Sequence, residues 1–175
     1  MRIFKKLKNK NKFQKGFTLI ETFVAITVLL IAITGPLYLV TRGLSVAKMV
    51  KGRITAIYLA QEAVEYIRNI RDNNILNDDD WLTDIQGYVS SGKKFTIDSP
   101  EQEIKSCDSD CDFLLYNEGN FLYGYVDGII SRFKREIQIT EIDKDKEIEI
   151  VVDVYWNEGP KIYQFTATEY LSNWQ

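Results

Sequence analysis

The chain has 175 residues, with 22 Lys and Arg against 25 Asp and Glu, and no histidine. That length allows one domain, or one domain plus a membrane segment. Without histidine the commonest general base and metal ligand are missing and every Ser-His or Cys-His mechanism is excluded, which weighs against an enzyme.

The charge is unevenly spread. Arg2, Lys5, Lys6, Lys8, Lys10, Lys12 and Lys15 fall within residues 1–16, with no acid among them. The remainder holds 15 basic residues against 25 acidic ones. A body of that charge is not expected to bind nucleic acid, because phosphate contacts need a basic face.

Next comes an apolar run, Phe17 to Val40, FTLIETFVAITVLLIAITGPLYLV, whose one charge is Glu21. As a helix it would span about 36 Å, enough for a hydrocarbon core of about 30 Å. It shows no polar face, so it reads as a membrane helix and not as a core helix. The lysines ahead of it predict that its N-terminal end stays in the cytoplasm and that everything after Val40 faces outward. A cleaved secretory signal would have an apolar core of only about 7–15 residues. Gly35-Pro36 interrupts the run. A proline removes one helical hydrogen bond and tends to kink the helix, although membrane helices also tolerate it.

From Ser45 to Asn73 the pattern stays helical but becomes one-sided. Val46, Val50, Ile57, Ala60, Val64 and Ile67 form an apolar stripe, and Lys51, Thr55, Glu62, Glu65, Arg68 and Asn69 fill other faces. Phe17 to Asp72 is thus expected to form one helix, stopping near Asp72-Asn73-Asn74.

The middle is less periodic. Asn77-Asp78-Asp79-Asp80 predicts a solvated turn, Trp81 to Val89 a short helix, and Lys94 to Ile97 a short strand. Phe121 to Val126, FLYGYV, predicts a strand with a bend. The C-terminal part is clearer. Phe133 to Ile142 is rich in strand formers. Ile148, Ile150, Val152, Val154 and Trp156 alternate with Glu149, Val151, Asp153 and Tyr155, the period of a strand with one buried face. Lys161 to Tyr170 makes a third strand. Turns at Asp143 to Lys146 and Asn157 to Pro160 would join the three into an antiparallel meander packed on the helix stripe. The fold class is therefore α+β.

Cys107 and Cys111 sit in SCDSDCD. Two thiolates without histidine cannot complete a zinc site within one chain. An outward-facing domain favours a disulfide, with free thiols or a redox role as the other readings. Asp108, Asp110 and Asp112, like Asp78 to Asp80, read as solvated acidic loops; neither has the spacing of a calcium loop.

The residues Gly16-Phe17-Thr18-Leu19-Ile20-Glu21, behind a basic leader and ahead of a long apolar run, resemble the prepilin motif. Type IV pilins and the pseudopilins of type II secretion and competence systems share it. The resemblance implies the type IV pilin fold, a long N-terminal helix packed on a C-terminal antiparallel sheet. It also implies cleavage between Gly16 and Phe17 by a membrane peptidase, which then methylates the new Phe17 amine. A glycine at the cut suits a tight protease cleft, having no Cβ to block it. A carboxylate in hydrocarbon needs a partner. The Phe17 amine would supply one to Glu21, and their spacing of four predicts a shared helix face. On this reading Glu21 is an assembly and membrane contact.

TAIYLAQEAVEYIRNIRDNN, Thr55 to Asn74, and the C-terminal pattern FKREIQI, IVVDVYW, YLSNW are similar to PilV-type minor pilins. The expected organisation is a cleaved leader at 1–16, a transmembrane and assembly helix at 17–40, the amphipathic half of the same helix at 41–74, and a globular head at 75–175. The expected partners are the prepilin peptidase and methyltransferase, other pilin subunits in a helical filament, and the cytoplasmic membrane. No catalytic residue, metal or cofactor is expected. The precursor would cross the cytoplasmic membrane once and the mature subunit would reach the cell surface. The alternatives are a pseudopilin and, in another class, a single-span protein that displays an adhesive or binding domain without assembling. A secreted enzyme is the weakest.

Overall fold

The computed structural model describes residues 16–107 and 110–173. The leader before Gly16, Asp108, and the Trp174 of YLSNW lie outside the described residues. The chain divides into two compact units, Met1–Ser45 and Val46–Gln175.

Helix α1 runs from Leu19 to Leu76. In the first unit every described residue is exposed, and this part of α1 is long and apolar enough to cross a membrane. Both ends of the helix differ from expectation. It starts two residues later than Phe17 and ends four residues beyond Asp72, the Asp79 N–H closing back on the Asn74 carbonyl at 2.9 Å.

In the second unit α1 is followed by a short helix α2, Gln86–Ser91. Seven strands come next: β1 Phe95–Asp98, β2 Glu103–Ser106, β3 Phe113–Tyr116, β4 Tyr123–Gly124, β5 Ile129–Asp143, β6 Glu147–Glu158 and β7 Lys161–Ser172. The predicted helix at Trp81 to Val89 resolves into turns up to Ile85 and then α2, ended by Gly92 in the left-handed region at φ 59°. Strands β2 and β3 were not expected. Both are four residues long, too short to show a period.

The sheet is antiparallel throughout. β5, the longest strand, pairs along one side with β3 and β1 and along the other with β6. β6 pairs with β7 over twelve residues without a register shift, from Glu147↔Ser172 to Glu158↔Lys161. The predicted meander is therefore β5, β6 and β7, and the alternation on β6 is as read, with Ile148, Ile150, Val152, Val154 and Trp156 all buried.

The helix stripe needs correction. The buried face of α1 is Gly52, Ala56, Leu59, Ala60, Ala63, Val64 and Ile67. Val46 and Val50 are exposed and Ile57 is only half-buried. The reason is steric. Trp156 lies so close to α1 that a Cβ added to Gly52 would sit 2.5 Å from its Nε1. At Gly52 only a residue without a side chain fits, and the buried face continues through Ala56, Ala60 and Ala63 together with Leu59, Val64 and Ile67.

Arg135 is wholly buried under the helix. Its guanidinium donates to the Leu59 carbonyl at 2.8 Å and the Ile97 carbonyl at 2.5 Å, and meets Glu62 at 3.1 Å. One side chain thus ties α1, β1 and β5 together. A charge costs several kcal/mol to bury, and these acceptors offset that cost.

Candidate functional site

Thr18 sets the start of α1. Its hydroxyl accepts the Glu21 N–H at 3.3 Å and its carbonyl accepts the Thr22 N–H at 3.1 Å. Thr18 is the N-cap and Glu21 the third helical residue, which is the spacing of a capping box. The Glu21 carboxylate lies in the first turn, where the helix dipole favours negative charge. Thr18 was not singled out in the sequence, although the Thr-x-x-Glu spacing carries the signal.

The cap has a consequence for the two residues before it. Gly16 and Phe17 precede the helix and are exposed. Phe17 therefore does not share a helix face with Glu21, contrary to the expectation from their spacing. Gly16 is a glycine that the fold itself does not require. A Cβ there would meet nothing within 4 Å, and its φ lies outside the left-handed region.

Along the apolar run the hydroxyls are satisfied within the helix. Thr22 donates to the Leu19 carbonyl, Thr27 to Phe23, Thr34 to Leu30 and Thr41 to Tyr38, at 2.8 to 2.9 Å. Hydrocarbon offers no other partner, so this back-bonding lets polar residues sit in a membrane helix. α1 continues helical through Gly35 and Pro36. Pro36 has no N–H to give the Ala32 carbonyl four residues back, and the nearby Thr34 hydroxyl is turned to Leu30.

Cys107 and Cys111 are bonded, with their Cα atoms 4.9 Å apart. The loop they close is tied to β5 by Asp110, which pairs with Lys134. Lys134 also meets Glu136 at 2.9 Å, and Glu136 meets Lys94 at 2.7 Å. The chain of alternating charges moves Asp110, Lys134 and Lys94 in the direction of ionisation. The hydrogen bond from Lys134 holds Asp110 below the usual carboxylate range. That to Glu136 raises Lys94. Burial alone would lower Lys134, but hydrogen bonds to Asp110 and Glu136 outweigh it. Among the described residues no group of three or more acids or thiols could hold a metal ion.

The site geometry thus concentrates at one N-terminus: an exposed Gly-Phe pair, a capped first turn carrying a glutamate, and an apolar helix. Residues 11–35 match the family model for the prokaryotic N-terminal methylation motif. The N-terminal segment carries that motif. The match supports a type IV pilin-like precursor, a substrate of prepilin peptidase, and the motif marks structural subunits. The prepilin-type segment covers Gly16, Phe17, Glu21 and Gly35, and Pro36 lies just beyond it. No curated protein and no solved structure matches the chain.

Proposed function

We propose that this chain is the precursor of a minor pilin of PilV type, a structural subunit of a type IV pilus or related filament. Residues 1–16 form the leader that is removed. Residues 17–40 hold the subunit in the cytoplasmic membrane and later in the filament core. Residues 41–74 continue the helix and 75–175 form the head. The leader lysines keep the scissile bond at the cytoplasmic face, and the Cys107–Cys111 disulfide belongs to an outward-facing head.

The observation that carries this reading is the prepilin-type motif with its exposed Gly16–Phe17 pair just ahead of the Thr18 cap. Proteases bind extended chain, and the cap leaves the bond outside the helix. After cleavage the Phe17 amine is methylated. In the filament core, where water is excluded, the Glu21 carboxylate takes the Phe17 amine of a neighbouring subunit as its partner. That pair sets the axial register, since an unpaired buried charge costs roughly 3–5 kcal/mol.

The deciding experiment is N-terminal mass spectrometry of the protein in sheared surface filaments. N-methylated Phe17 is the expected terminus. An uncut chain that stays in the membrane would replace this reading with that of a single-span display protein.

A further inference from the structure

One corner of the second unit exposes apolar side chains where a folded protein has no internal use for them. Between Phe121 and Ile130, five large apolar residues are about half exposed or more: Phe121, Leu122, Val126, Ile129 and Ile130. Strand register places several of them on one face. Leu115 stands opposite Gly124 on β4 and opposite Ile130 on β5, so these three positions share a face. Leu122, Gly124 and Val126 in turn line a single notch of about 160 Å³. Leu115 and Ile130 thus share a sheet face with Gly124, and Leu122 and Val126 line the notch at that glycine.

The loop leading into this surface is held in a costly conformation. Phe121 has φ 62°, a region bulky side chains avoid, and its ring is 71% exposed. Its N–H is fixed to the Asn117 carbonyl at 2.8 Å, and the Asn117 side chain accepts from the Gly119 N–H at 2.8 Å. The conformation closes the connection from β3 to β4, the Asn117 N–H reaching the Leu122 carbonyl at 2.9 Å, and leaves the Phe121 ring outside.

The notch is acidic. Asp98, Glu101 and Asp127 line it, with Lys105 reaching Asp98 at 3.4 Å. Asp98 is 1% exposed, and its Oδ1, which lies 3.0 Å from where a Gly124 Cβ would be, has no hydrogen-bond partner. An apolar surface with an anionic dip complements a cation carried on an apolar stem.

We infer that this corner docks a partner protein through an apolar segment that inserts a Lys or Arg side chain into the Asp98–Glu101–Asp127 notch. The apolar surface extends beyond the notch, so it accommodates more than a small amine. The carboxylates repel an anionic lipid surface and nucleic acid. The inference does not depend on how the N-terminus is processed.

The test uses the full chain in neutral detergent micelles, with isotope-labelled Ile, Leu and Val methyl groups. The probes are acetyl-Leu-Leu-Lys-Leu-Leu-amide and its counterpart with Glu in place of Lys. The Lys peptide should shift the methyls of Ile130, Leu115, Leu122 and Val126 saturably. The Glu peptide should bind at least about tenfold more weakly, as like charges then meet in the notch. Val126→Asp should abolish binding. The double change Glu101→Lys and Asp127→Lys alters only exposed positions and should reverse the preference. Equal binding of both peptides, shifts elsewhere, or a preference that survives the charge reversal would overturn the proposal. So would Val126-dependent binding to phosphatidylglycerol vesicles in place of the Lys peptide.

Discussion

Trp156 of β6 lies against Gly52 of α1, and its indole also stacks on Tyr163 with ring centroids 5.5 Å apart and planes 18° apart. A Cβ at Gly52 would come within 2.5 Å of Nε1 and 3.0 Å of Cδ1, so the indole would have to shift and disturb its stacking on Tyr163. Alanine is intrinsically better in a helix by about 1 kcal/mol, but overpacking costs about 1–3 kcal/mol. Gly52→Ala should therefore destabilise the second unit, by about 1 kcal/mol net. Gly87→Ala, where a Cβ meets nothing within 4 Å, should be neutral or stabilising. Every residue of the hydrophobic core lies at Ala56 or later, so residues 46–175 alone should melt cooperatively, and calorimetry of that fragment measures both changes. A stabilised Gly52→Ala would refute the close approach.

Arg135 is the second point of attachment between helix and sheet. Arg135→Ala leaves a cavity and strips the donor from two carbonyls, and should cost about 3 kcal/mol or more. Arg135→Met keeps the stem volume and should cost less. Glu62→Gln should change little, because that side chain is 37% exposed. Urea denaturation of the three variants ranks them. Equal losses for Met and Ala would mean that the packing of the stem contributes nothing.

The pH dependence of the Asp110–Lys134 pair has a definite sign on both sides. Asp110 is depressed, so its contribution is present above the ordinary carboxylate value of about 3.9 and lost as pH falls through its lower folded value. Lys134 is raised, so its contribution is present below about 10.4 and lost as pH rises through its higher folded value. The melting-temperature difference between wild type and Lys134→Met should be flat from about pH 5 to 9 and shrink on either side. A difference constant from pH 2 to 12 would show that the effect is steric.

The Thr18 cap makes a prediction about processing. Thr18→Val removes the acceptor, loosens the first turn by about 0.5–2 kcal/mol, and no longer pins the helix start behind Gly16–Phe17. It should accumulate precursor on immunoblots relative to Thr18→Ser, which keeps the hydroxyl. Indistinguishable processing of the two would remove the cap from the account. Gly16→Leu should insert normally and stay uncut, since neither the lysines nor the apolar run changes.

Glu21→Ala separates assembly from insertion. It should enter the membrane and still be cleaved, be methylated poorly, and reach sheared filaments rarely, as read by quantitative immunoblotting of both fractions. Wild-type levels in filaments would leave Glu21 with its helix-dipole role alone.

The sequence by itself determined the features whose physics is local. The apolar run is legible because a membrane reads twenty-odd consecutive side chains one by one. The motif Gly16 to Glu21 is legible because its six residues are contiguous and need no tertiary contact to be recognised. The alternation of Ile148 to Trp156 is legible because a strand's two faces follow from its own geometry. Only the tertiary structure decided which face of α1 is buried. Periodicity favoured the large aliphatics Val46, Val50 and Ile57, whereas the buried face runs through Gly52, Ala56 and Ala63, and at Gly52 Trp156 comes too near the helix for any side chain. The same holds for β2 and β3, too short to pattern alone and held by their neighbours in the sheet. It holds as well for Arg135, polar by composition and buried because carbonyls from α1 and β1, far apart in sequence, converge on it.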